Sequence, residues 1–209
     1  MIIKDIKGIE NLRDLKSGCI MTCNHFNALD SFAMQYTYEA CIAKKDRKKK
    51  RFFRVIREGN YTSFPGFYGS LMKHCYTLPL AQNPDVMKEF LRSTKELLQD
   101  GNIVLIYPEQ SMWWNYRKPK PLQSGAFKIA QMSGVPIVPV FICMEDSDII
   151  GSDGFPVQEY SIVISKPIYQ NSELKKAENI KNMMAQNYNE WKTIYESFYH
   201  KELEYITEN

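Results

Sequence analysis

His25 and Asp30 stand five residues apart in the stretch Asn24-His-Phe-Asn-Ala-Leu-Asp30. A histidine with a carboxylate on one imidazole nitrogen can serve as a general base: the carboxylate fixes the tautomer and the other nitrogen takes the proton. Residues five apart on a regular helix point about 140° away from each other, so the pair cannot meet there. It can meet if His25 sits in the turn leaving a strand and Asp30 in the first turn of the next helix. Asn27, between them, is placed to hold that turn. Taken alone, the spacing suits a hydrogen-bonded structural histidine and a capping aspartate better. A further carboxylate, Glu109, follows Pro108 at the end of the apolar run Ile103–Tyr107.

Those residues need elements to hold them. Gly18–Cys23 reads as a strand that stops at Asn24, and a helix is expected over Asp30–Ala43. Strands are expected at Arg51–Ile56, Cys75–Leu80, Ile103–Tyr107, Ile137–Cys143 and Tyr160–Ile164. Short helices are expected at Phe64–Lys73, led by Pro65, and at Leu122–Met132, closed by Gly134. Asn83-Pro84 forms a cap and first-turn pair that opens a helix reaching Asp100-Gly101. From Ser172 the chain reads as a long helix with Ile180, Met184, Tyr188, Trp191, Tyr195 and Phe198 on its buried stripe. Strands alternating with helices predict an α/β fold with a central, mostly parallel sheet flanked by helices and a long C-terminal helix. Neither an internal repeat nor a Gly/Ser linker interrupts the pattern, so residues 1–209 are expected to form one domain. In such sheets sites lie beyond the carboxyl ends of strands, where His25 and Glu109 both fall.

Four blocks, in order, resemble the glycerolipid acyltransferases, the lysophosphatidic acid acyltransferase family. Asn24-His25 through Asp30 resembles the family's N-H-x4-D block. Tyr107-Pro108-Glu109-Gln110-Ser111 is similar to its F-P-E-G-T-R block. Gly125-Ala126-Phe127-Lys128-Ile129-Ala130 resembles the helix that follows, and Val135-Pro136-Ile137-Val138-Pro139-Val140 its closing strand. The resemblance spans about residues 18–145. It implies a fatty acyl thioester, acyl-CoA or acyl-ACP, as cosubstrate with no bound cofactor, and a lysophospholipid or glycerolipid-like hydroxyl as acceptor. It implies His25 as general base oriented by Asp30, and substrate contacts from Asn24, Asn27, Arg57, Glu109, Gln110, Ser111 and Arg117. No nucleophilic Ser or Cys is required.

Two departures bear on the acceptor. Met112 stands where the family carries the Arg after Gly-Thr, and His74–Leu80 lacks the Arg that ends the family's second block. Both losses remove a planar guanidinium fork suited to phosphate. Arg57, Arg117, Lys118 and Lys120 are the substitute cations, and Met112, Trp113 and Trp114 offer an apolar surface.

The net charge of +3 is unevenly distributed. Lys44–Arg57 holds nine Lys or Arg and one acid, Asp46, a net +8 that leaves the remainder at −5. Such a block is expected to meet an anionic membrane surface through Lys44–Arg54, or an acidic carrier protein, with no nucleic acid partner expected. The longest apolar run, Val135–Met144, is too short and too proline-broken to span a bilayer. The opening residues MIIKDIKGIENLRD alternate charges with aliphatics and lack a signal-peptide core, so a cytoplasmic protein, peripheral at the inner membrane face, is expected. Five cysteines without a CxxC pair are expected as reduced, mostly buried thiols. Asp146, Asp148 and Asp153 are read in a Gly-containing loop, but the spacing fails the EF-hand pattern and no metal is expected. Two other readings stay open: acyl transfer to an amine or sugar hydroxyl, and a catalytically degenerate basic-patch protein that binds anionic membrane or nucleic acid.

Overall fold

A computed structural model describes residues 1–59 and 74–205. The helix expected at Phe64–Lys73 lies outside the described residues. The elements, in chain order, are β1 (Ile2–Lys7), α1 (Ile9–Arg13), β2 (Cys19–Cys23), α2 (Asp30–Cys41), β3 (Phe52–Arg57) and β4 (Thr77–Leu80). Then come α3 (Pro84–Gln99), β5 (Ile103–Ile106), α4 (Gly125–Ser133), β6 (Ile137–Ile150), β7 (Pro156–Ile164) and α5 (Lys176–Tyr199).

The strands form one sheet in the order β1-β7-β6-β2-β5-β3-β4. Every pairing is parallel except β6 with β7. Strand alternation divides the core between the two faces. Cys19, Met21 and Cys23 of β2 face a cluster with Ala33, Met34, Tyr38 and Cys41 of α2 and Leu12 of α1. Ile20 faces the opposite cluster, with Phe90 and Leu98 of α3, Phe127 of α4 and Met183 of α5. The sheet is thus covered by α1 and α2 on one side and by α3, α4 and α5 on the other.

The structure departs from the sequence pattern in four places. The amino-terminal stretch, to which the pattern assigns no element, pairs with β7 as β1 and turns into α1 at Gly8. Gly8 has φ +74°, and a Cβ there would stand 2.1 Å from the carbonyl oxygen of Ile164, so only glycine fits. Second, β6 and β7 run well past their apolar cores as a ribbon, so Asp146 and Asp148 lie on a strand and not in a loop. Antiparallel pairing carries that ribbon, with Glu145 opposite Glu159 and Lys4 bridging both at 3.5 and 3.1 Å. Third, the deepest line of α5 is Asn179, Met183, Asn187, Trp191 and Tyr195, one residue round from part of the expected stripe. Asn187 is drawn inward by the Thr22 hydroxyl at 2.5 Å, and Asn179 by the Asn171 carbonyl at 2.9 Å. Fourth, α5 starts at Lys176 and not at Ser172, because Asn171 and a capping box between Lys175 and Glu178 hold the preceding turn.

Candidate active site

Parallel register places the two motifs together. Thr22 of β2 pairs with Ile106 of β5, and three residues further along the chain from each, past the strand ends, lie His25 and Glu109. The His25 backbone N–H donates to Glu109 Oε2 at 3.0 Å. On the other flank β2 pairs with β6 as far as Cys23 and Val140. The Asn24 side chain then extends that ladder, accepting from the Ile142 N–H at 2.8 Å and donating to the Ile142 carbonyl at 3.0 Å. Both ends of its amide are therefore engaged by backbone, and Asn24 sets where the chain turns.

The turn itself is built on Asp30. Its Oδ2 accepts from the Phe26 and Asn27 backbone N–H groups, both at 2.8 Å, and lies 3.0 Å from His25 Nδ1. An oxygen that already accepts from two amides meets Nδ1 as a third donor. The proton therefore sits on Nδ1, and Nε2 carries the free lone pair. Among the described residues Nε2 makes no hydrogen bond, and the side chain is 23% exposed. Asn27 Oδ1 accepts from the Leu29 N–H at 3.0 Å, completing the turn into α2. The Tyr107 ring stacks on the imidazole with centroids 4.1 Å apart and planes at 20°. The Tyr107 hydroxyl pairs with the Ser31 hydroxyl at 3.2 Å. His25 is thus held on one edge by Asp30 and on one face by Tyr107.

Beneath the turn lies a buried ion pair that the sequence pattern does not show. Lys120 Nζ stands 2.9 Å from Glu109 Oε2, with both side chains almost wholly inaccessible. Lys120 also donates to the carbonyls of His25 and Ser111, and its own backbone N–H donates to Glu109 Oε1 at 2.9 Å. Burial pushes the Glu109 carboxyl above its ordinary value, while Lys120 and the His25 N–H pull it back. The pair locks the strand end carrying His25 to the chain after β5. The Asn115 N–H adds a bond to the Phe26 carbonyl at 3.0 Å.

The remaining sequence candidates are placed differently. Gln110 adopts φ +52°, the left-handed region, at the position where the resembled block carries Gly. The Ser111 hydroxyl turns back to the Glu109 carbonyl. Arg117 pairs with Asp146 on the β6 arm at 2.9 Å, and Lys118 donates to the Glu204 carbonyl. With Lys120 buried, the three substitute cations after the Pro-Glu block are all engaged by the protein itself. Arg57 ends β3 exposed at the carboxyl edge of the sheet, on the side where His25 emerges. Among the described residues no group of three His, Cys, Asp or Glu is arranged to hold a metal, and no helix is long and apolar enough to cross a membrane.

Four of the five thiols are buried. Burial pushes Cys19, Cys41 and Cys143 up to about 12 and Cys23 well above its ordinary value. The thiolate is the reactive form, so raised values make it scarce at pH 8. Iodoacetamide at pH 8 is therefore expected to label only the half-buried Cys75 in the native protein and all five cysteines in urea, read by intact mass.

Comparison with known proteins identifies the family and the fold. Residues 4–143 match the Acyltransferase family. The chain is 26% identical over 189 residues to the 1-acyl-sn-glycerol-3-phosphate acyltransferase BAT2, chloroplastic, of Brassica napus. That alignment covers 88% of this chain and 51% of the relative, so the chain spans about half of that protein's length. The crystal structure of the 1-acyl-sn-glycerophosphate (LPA) acyltransferase PlsC from Thermotoga maritima superposes with a TM-score of 0.63 at 16% identity. It covers 96% of this chain and 73% of that one, which shows a shared fold.

Proposed function

This chain belongs to the Acyltransferase family, and we propose that it transfers a fatty acyl group from a CoA or acyl carrier protein thioester to the hydroxyl of a lysophospholipid or glycerolipid-like acceptor. The observation that carries the reading is the orientation of His25: Nδ1 engaged by Asp30 at 3.0 Å, one face against Tyr107, and Nε2 left open. Nε2 takes the acceptor's O–H proton as its oxygen bonds to the thioester carbonyl carbon. The C–S bond then breaks, the imidazolium returns the proton to the departing thiolate, and the products are an ester and a free thiol. Asp30 holds the tautomer through that cycle.

Asn24, Asn27 and Glu109 act here as positioning residues, because their polar atoms are engaged by the turn that presents His25. Arg57, exposed at the carboxyl end of β3, is assigned to an anionic acceptor headgroup. The Lys44–Arg54 block draws the protein to anionic lipid. The test is to incubate the purified protein with acyl-CoA and acyl carrier protein thioesters plus a panel of lysolipids, glycerol phosphate, amines and sugars. Mass spectrometry is expected to find an acylated lysolipid or glycerolipid, absent with His25→Ala. Product with amines or sugars alone would replace the acceptor assignment, and product undiminished in His25→Ala would overturn the mechanism.

A further inference from the structure

Helix α2 is rich in apolar residues on both its inner and its outer side, and among the described residues the sheet covers the inner one. Ala33, Met34, Thr37, Tyr38 and Cys41 are buried against the sheet. On the outward side Leu29, Phe32 and Tyr36 follow one another at helical spacing, with Phe32 64% and Tyr36 58% exposed. Between the buried Asp30 and Glu39 the helix carries no charged side chain. An outward helical face in water is ordinarily polar, so an uncharged aromatic one marks a surface that meets something apolar.

The charge beside it says what that is. The chain leaving α2 places Lys44, Lys45, Lys48 and Lys49 in solvent. Two acids lie at that end: Glu39 pairs with Arg47 at 3.0 Å, and Asp46 stands exposed among the four lysines, which outnumber it. The twelve residues of α2 span about 18 Å, with exposed Phe32 and Tyr36 in its first two turns and four lysines beyond its C-terminal end. Apolar and aromatic side chains on one face with lysines at its border are the features of a helix lying in a bilayer interface, its apolar side about 5–10 Å deep. The opposite end of α2 is the turn that carries His25, held to Asp30 in the first turn of the helix.

We propose that the outward face of α2 lies in the plane of an anionic lipid surface, anchored by Leu29, Phe32 and Tyr36 and by the lysines that follow the helix. The docking stands on exposure and charge alone. Its consequence, that His25 is presented to acceptors at the lipid surface, rests on the acyltransferase reading.

Flotation with vesicles of phosphatidylcholine, with and without phosphatidylglycerol, tests it. The wild type is expected to float with the mixed vesicles and to be released by salt. Phe32→Asp/Tyr36→Asp is expected to lower the bound fraction by at least about tenfold, since each aromatic lost from the interface is itself worth that much. Lys44→Glu/Lys48→Glu leaves α2 untouched and is expected to lower binding by about fivefold for each lysine removed. Wild type that stays in solution, or Phe32→Asp/Tyr36→Asp that floats as well as wild type with its thermal unfolding unchanged, overturns the proposal. So does a concentration-dependent dimer that Phe32→Asp/Tyr36→Asp dissolves, because the face is then covered by a second copy of the chain. Transfer to a water-soluble short-chain acceptor is expected to persist in Phe32→Asp/Tyr36→Asp while transfer to vesicle-borne acceptor falls with binding. Failure of docking leaves the soluble assay intact, whereas failure of the acyltransferase reading leaves flotation intact.

Discussion

Replacing His25 with alanine is expected to lower the rate of acyl transfer by about 10²–10⁴, the range that a positioned general base supplies. The size follows from the geometry. Nε2 is the basic atom that the turn leaves open, and two independent contacts, Asp30 on Nδ1 and the Tyr107 ring on one face, fix where it points. The fold is expected to survive, because the imidazole is partly exposed and its stack with Tyr107 is worth only about 0.5–1.5 kcal/mol. Asp30→Asn separates orientation from basicity. The asparagine oxygen can take the place of Oδ2 and still accept from the Phe26 and Asn27 N–H groups and from His25 Nδ1, so the turn and the tautomer persist, but the negative charge that stabilises the imidazolium is gone. Its rate is expected to fall less than that of His25→Ala. The measurement is kcat at saturating thioester beside a thermal unfolding curve for each variant. A His25→Ala protein that folds normally and retains activity within tenfold of wild type removes His25 from the chemistry.

The meeting of His25 and Asp30 is legible in the sequence because its ingredients are local: a strand that stops, an asparagine-bearing turn and a helix that opens on the carboxylate. The alternating strands and helices were legible for the same reason, since each carries its own periodicity. What is missing from the sequence pattern depends on partners far along the chain. The Glu145–Glu159 ribbon has no apolar alternation to betray it, because a two-stranded arm outside the core gains its pairing from backbone bonds and from Lys4, about 140 positions earlier in the sequence than Glu145. Asn187 looks like an outward residue until Thr22, 165 positions earlier, supplies its partner. Lys120 reads as one more cation in a basic loop beside Arg117 and Lys118. The one local hint is its place between Pro119 and Pro121, two residues that remove backbone donors and hold the chain extended where Lys120 must reach inward. Charge alone could not separate it from its neighbours, since burial is a property of the assembled fold.

That buried lysine carries the largest expected effect on stability. Lys120→Met leaves Glu109 as a carboxylate in an inaccessible site with its countercharge gone, and breaking such a pair costs about 3–5 kcal/mol. For a chain of this length each kcal/mol moves the midpoint by about 2–4 °C, so Tm is expected to fall by roughly 6–20 °C. The variant also loses the tethers to the His25 and Ser111 carbonyls, so activity is expected to fall with stability. Glu109→Leu/Lys120→Met distinguishes the two effects. Removing both charges lifts the desolvation cost that already pushes Glu109 upward, and such exchanges are often neutral or better for stability. The double variant is therefore expected to recover much of the lost Tm by calorimetry. It is not expected to recover transfer, because the His25 N–H and the Lys120 N–H then lack the carboxylate that fixes them. A Lys120→Met protein with Tm within about 2 °C of wild type would show that Glu109 had found another partner, and would remove the ion pair as the lock beneath His25.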